Sequence, residues 1–106
     1  IWLAVSYDPT GTEYAVNPDI NNLLAAAVLL EANTYMASPG VDVISSALVP
    51  VAWAATKDPT TGRPTVSTIT VLSSSDGVTY ATTPIVIDHR HQADYDSSRT
   101  SASSIF

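Results

Sequence analysis

The chain has 106 residues, a formal net charge of −6, 45% hydrophobic and 13% charged residues, mean hydropathy +0.16 and no cysteine. That length admits one modest core, and the composition excludes an intrinsically disordered chain. Four fixed cations, Lys57, Arg63, Arg90 and Arg99, are too few and too scattered to track a phosphate backbone or an anionic membrane, and the missing thiols exclude disulfides, thiolate zinc sites and Cys nucleophiles.

Hydroxyl residues fill the place of the missing charges. The 13 Ser and 13 Thr tilt the expectation towards strands and turns. "IWLAVSY" (residues 1–7) reads as a strand, "DPTG" (8–11) as a turn and "TEYAV" (12–16) as a return strand. Asn17 then supplies a cap, Pro18 a first helical position and Asp19 a negative charge at the positive end of the dipole. These signals predict a helix over about 18–36, stopped by "SPG" (38–40).

That helix has an odd pattern. Ile20, Leu24, Ala27, Val28 and Tyr35 fall on one stripe with Glu31 in its middle, while Leu23, Leu29 and Leu30 point elsewhere. A surface helix is normally apolar on one side only. The pattern therefore implies a helix covered on two sides, by its own fold or by another chain. Its longest apolar run, "LLAAAVLL" (23–30), is far short of the roughly 20 residues that span a bilayer, and no stretch reads as a retained secretory signal.

Beyond the helix, "VDVISSALV" and "PVAWAAT" read as strands with Pro50 at a bend, and "KDPTTGRP" (57–64) as a loop. "TVSTITVL" (65–72) and "VTYATTPIVID" (78–88) read as a hairpin about Asp76-Gly77, with Pro84 marking an edge or bulge. The last ten residues, Ser97–Phe106, form a Ser-rich arm ending on Ile105 and Phe106. Such an arm is held most simply by adding a strand to a sheet edge, here expected on a neighbouring chain. The fold class predicted is mainly β with one helix: an antiparallel β-sandwich or open barrel over residues 1–96, carrying the helix at 18–36, followed by the arm at 97–106.

"IDHRHQADYD" (87–96) holds both histidines and three acidic residues. In an extended strand His89 and His91 share a face, half of a zinc or iron site that Asp94 or Asp96 would complete. The His-x-His pair resembles the strand motif of the cupins, which adds a downstream Glu and Gly. This chain has no Glu after Glu31 and no Gly after Gly77. The simpler expectation is a solvated strand end without metal, and a calcium site of Asp88, Asp94 and Asp96 lacks the dense Asp/Gly spacing of calcium loops.

"SSSDGVTYATTP" is similar to the Ser-Asp-Gly hairpins of extracellular β-sandwich and carbohydrate-binding modules. It also resembles the sialidase Asp-box Ser-x-Asp-x-Gly-x-Thr-Trp, with one residue missing between Asp76 and Gly77 and Tyr80 in place of Trp. No nucleophile elbow, Ser-x-x-Lys pair, facing Glu pair or glycine-rich phosphate loop is present, so no catalytic residue, cofactor or enzymatic activity is expected. The sequence instead predicts a structural, assembly-forming subunit, such as a virion decoration, connector or tail component or a surface-layer protein, working in a homo-oligomer or larger assembly. Its expected interface is Leu29, Leu30, Ile105 and Phe106. The alternative is a small extracellular glycan-binding module using Trp2, Tyr7, Tyr14, Trp53, Tyr80 and Tyr95.

Overall fold

The computed structural model describes residues 1–8, 19–57, 62 and 65–104. The expected turn and return strand at 9–16, the Asn17-Pro18 helix start, most of the 57–64 loop, and Ile105 and Phe106 lie outside the described residues. The described chain forms β1 (Trp2–Asp8), α1 (Ile20–Tyr35), α2 (Val49–Thr56), β2 (Thr68–Ser74) and β3 (Thr100–Ser104), with short 3-10 turns at Ser45–Leu48 and Ser97–Arg99.

The three strands make one mixed sheet in the order β2-β1-β3. β1 runs antiparallel to β2, with Leu3 opposite Ser73 and Tyr7 opposite Ile69. It runs parallel to β3, with Leu3 opposite Thr100 and Val5 opposite Ala102. Alternation along β1 sends Leu3, Val5 and Tyr7 to one side, where all three are buried. Val71 from β2 joins them in a single core with Leu24, Val28 and Ala32 of α1, Ala52 of α2, and Leu48, Val66, Ala93 and Tyr95. One face of a small sheet is thus covered by helices and connecting segments.

This overturns the expected sandwich or barrel with a single helix: the sheet has three strands, there is a second helix, and no second sheet closes over the first among the described residues. "VPVAWAAT" is that second helix. Its Pro lies in the first turn, where the missing N–H has no partner to lose, and Leu48, Ala52 and Thr56 bury at intervals of four. The β-branched residues that suggested a strand are outweighed by packing of that stripe against the core. Thr56 ends the helix, its carbonyl accepting from Thr65 N (3.2 Å) and Thr65 Oγ1 (2.6 Å).

The expected long strand at 78–88 reduces to single bridges, Ala81 with Ser73 and Ile85 with Val43. Pro84 removes a donor between those two bridges. The arm also differs from expectation. β3 adds to the chain's own β1, so residues 100–104 complete this sheet, not a neighbour's.

In α1 the buried residues are Ile20, Leu24, Val28 and Ala32, a run at i, i+4 that lays one narrow stripe on the sheet. The predicted members Ala27 and Tyr35 fall off it: Ala27 is half-buried and Tyr35 is 66% exposed. Glu31 is half-buried. Tyr7 Oη donates to Asn21 Oδ1 and Tyr95 Oη to Met36 O at 3.0 Å, tying the two ends of α1 to the core. Among the described residues no helix is long and apolar enough to cross a membrane.

Candidate functional site

Residues 87–96 are a turn followed by irregular chain instead of a strand. Asp88 organises the turn: its carbonyl accepts from His91 N at 2.8 Å, and its Oδ1 accepts from Arg90 N at 2.9 Å. His89 Nδ1 lies 3.2 Å from Asp88 Oδ1, and the His89 side chain is 83% exposed. Gly40 closes the other side of this turn. Its N–H donates to His91 O at 2.8 Å, and with φ +75° an added Cβ would lie 3.1 Å from His89 Cα. The turn takes away the extended geometry that would have aligned His89 with His91. Among the described residues no three His, Asp or Glu side chains are grouped to hold a metal ion.

The Ser-Asp-Gly segment forms a capped corner on the other face of the sheet. Asp76 Oδ1 accepts from Val78 N (2.8 Å), Thr79 N (2.9 Å) and Ser74 Oγ (2.8 Å). Ser74 Oγ in turn accepts from Gly77 N at 2.9 Å. The two backbone donors, Thr79 before Val78, and then the Ser74 hydroxyl hold the Asp76 carboxyl down to a pKa of about 2. Gly77 takes φ +78° and sits against the Trp2 indole, where an added Cβ would meet Cε2 at 2.8 Å. The Arg99 guanidinium lies 4.8 Å from the Trp2 ring centroid, a cation–π contact. This corner is a structural clasp joining the start of β1, the end of β2 and the start of β3.

The described aromatics do not form an exposed platform. Tyr7 and Tyr95 are buried, Trp2, Trp53 and Tyr80 are half-buried, and Tyr35 alone stands exposed, while Tyr14 lies outside the described residues.

Large apolar side chains are also uncovered on α1. Leu30 is 71% exposed, Tyr35 66% and Leu23 42%. Leu23, Ala26 and Leu30 follow helical spacing along one side, Tyr35 stands about 140° round the helix from Leu30, and the other exposed residues of the helix are Asn21, Asn22, Asn33 and Thr34. Glu31 is the one charged residue in the helix. Of the expected interface residues, the structure therefore places Leu30 on the open surface and Leu29 half-buried at its flank.

Leu29 lines a groove of about 270 Å³ together with Asn22, Ala25 and Ala26 of α1, Ser97 of the 3-10 turn and Thr100 at the start of β3. Ser97 and Thr100 carry no apolar signal, and only the pairing of β3 with β1 brings them beneath α1. The chain matches no protein-family model, no curated protein and no solved structure.

Proposed function

We propose that this chain is a structural, assembly-forming subunit that acts through protein–protein contacts, in the class of virion decoration, connector or tail components or extracellular surface-layer proteins. The observation that carries the reading is the outward side of α1, where Leu23, Ala26 and Leu30 are exposed with no exposed charged residue beside them. A chain with net charge −6 leaves the exposed surface of this 16-residue helix without a charge and with two leucines on it. An uncovered apolar strip of this kind marks a contact surface. Each leucine would contribute roughly 1.5–3 kcal/mol on full burial. An uncharged strip also lets like-charged copies approach where repulsion is least.

Sedimentation equilibrium or light scattering across a wide concentration range tests the reading. The expected result is a mass above one chain that returns to one chain in the Leu23→Asp, Leu30→Asp double variant, whose circular dichroism is unchanged. A wild-type protein that stays monomeric at millimolar concentration overturns it.

A further inference from the structure

Independently of that assembly reading, we infer that Asp76-Gly77 is a site of spontaneous aspartate isomerisation that the folded corner keeps closed, with the Ser74 hydroxyl as the latch on both reacting groups.

The chemistry starts from the sequence. In an Asp-Gly pair the glycine nitrogen can attack the aspartate side-chain carbon, because no Cβ on the second residue stands in the way. The new N–C bond closes a succinimide ring, and the carboxyl hydroxyl leaves with the amide proton as one water. Water then adds back to either ring carbonyl and gives aspartate or isoaspartate. The sequence of steps is a dehydration followed by a hydration, so it needs no oxidant, cofactor or enzyme. Asp76-Gly77 is the one Asp-Gly pair in the chain, and the chain has no Asn-Gly.

The fold restrains both reacting groups. Gly77 N must give up its proton to become a nucleophile, and it donates that proton to Ser74 Oγ at 2.9 Å. Ser74 is 2% exposed, so solvent base has little access from that side. The same hydroxyl donates to Asp76 Oδ1 at 2.8 Å. Val78 N and Thr79 N donate to this oxygen too, at 2.8 and 2.9 Å, and aim it past Gly77. These bonds favour the carboxylate, whereas the ring closes from the neutral acid, whose hydroxyl can leave. Holding the group at about 2 against 3.8 lowers its neutral fraction more than about tenfold.

Packing adds a further restraint. Ring closure swings Gly77 N towards the Asp76 side chain, yet Gly77 is set at φ +78° against the Trp2 indole, where even a Cβ would meet Cε2 at 2.8 Å. The Arg99 guanidinium lies over that ring, 4.8 Å from its centroid. Isoaspartate would add a methylene to the main chain and shorten the carboxylate's arm by one carbon. The bonds to Val78 and Thr79 could not then be remade, so each isomerisation opens the corner for good.

Peptide mapping with electron-transfer fragmentation, which separates isoaspartate from aspartate, tests this on the full chain at neutral pH. The folded wild type should isomerise at Asp76 more than about tenfold slower than the same chain in urea. Ser74→Ala should raise the folded rate by about two- to tenfold, the factor carried by one ordinary hydrogen bond. Asp96-Ser97, whose carboxylate accepts from Ser98 N at 2.9 Å, monitors general unfolding and should show no rise. A folded wild type that isomerises as fast as the chain in urea, or a Ser74→Ala rate equal to the wild-type rate, overturns the assignment.

Where Ser74→Ala unfolds the chain and both sites rise together, amide exchange in the wild type decides. Gly77 N–H should exchange far more slowly than in the urea-unfolded chain, and exchange at the unfolded rate overturns the latch. None of these readouts depends on self-association, so a monomeric wild type would sink the assembly reading and leave this one standing.

Discussion

Leu24 and Leu30 lie six residues apart on α1, and the same substitution should have very different costs at the two positions. Leu24 is 0% exposed and Leu30 is 71% exposed. Leu→Ala removes three carbons, worth about 2.4 kcal/mol of transfer free energy at about 0.8 per carbon. At Leu24 a cavity of up to roughly 80 Å³, at about 24 cal/mol per Å³, adds as much as about 1.9 kcal/mol where the surroundings do not relax.

Leu24→Ala should therefore cost about 2.4–4.3 kcal/mol. For a chain of this size that lowers Tm by roughly 10–20 °C. At Leu30 less than a third of the side chain is covered, so about 0.7 kcal/mol is lost and the better helix propensity of Ala returns part of it. Leu30→Ala should cost about 0.5 kcal/mol in the dilute monomer. Urea unfolding followed by circular dichroism at low protein concentration measures both.

At high concentration the order of effects changes. Assembly stabilises the folded state by mass action, so the wild-type midpoint should rise with concentration and that of Leu30→Ala should rise less. Equal costs for the two variants in the dilute monomer would refute the orientation of α1. A concentration-independent midpoint for both would refute its role in contact.

Other consequences are open to measurement. The Asp76 carboxyl is held at about 2 against an ordinary 3.8, so its stabilising effect is complete above the ordinary value and is lost as pH falls through the folded one. The Tm difference between wild type and Asp76→Asn should thus be constant above about pH 5 and shrink between about pH 4 and 2; a difference that does not depend on pH would contradict the hydrogen bonding described. Gly77→Ala should cost about 1–3 kcal/mol from positive φ together with the clash with Trp2, and a Trp2→Leu background should remove the clash and leave the backbone part. Deleting Ser97–Phe106 strips a paired strand from β1 and should abolish cooperative unfolding, which a retained sigmoidal melt would contradict. Ser45 Oγ is fully buried without a hydrogen-bond partner among the described residues, so Ser45→Ala should be neutral or stabilising by up to about 1 kcal/mol, and a loss above that would reveal a partner.

What the residues determined by themselves is what depends on near neighbours. α1 was legible because a stop signal and apolar spacing are local, and its observed span, Ile20–Tyr35, lies within the predicted one. β1 and β2 were legible because Leu3/Val5/Tyr7 and Ile69/Val71 repeat every second residue. The outward leucines of α1 were also visible as a pattern that one buried stripe could not absorb.

The tertiary structure decided the rest. "VPVAWAAT" has strand-favouring residues, and its Leu48/Ala52/Thr56 spacing wins only because a core is there to receive it. Residues 87–96 read as a strand end until Asp88 and Gly40 close them into a turn, which removes the shared face of His89 and His91. "TSASS" has no hydrophobic alternation at all. It is a strand because β1, nearly a hundred residues earlier in the chain, presents an edge whose backbone groups need partners, and a backbone hydrogen-bond requirement carries no side-chain signature.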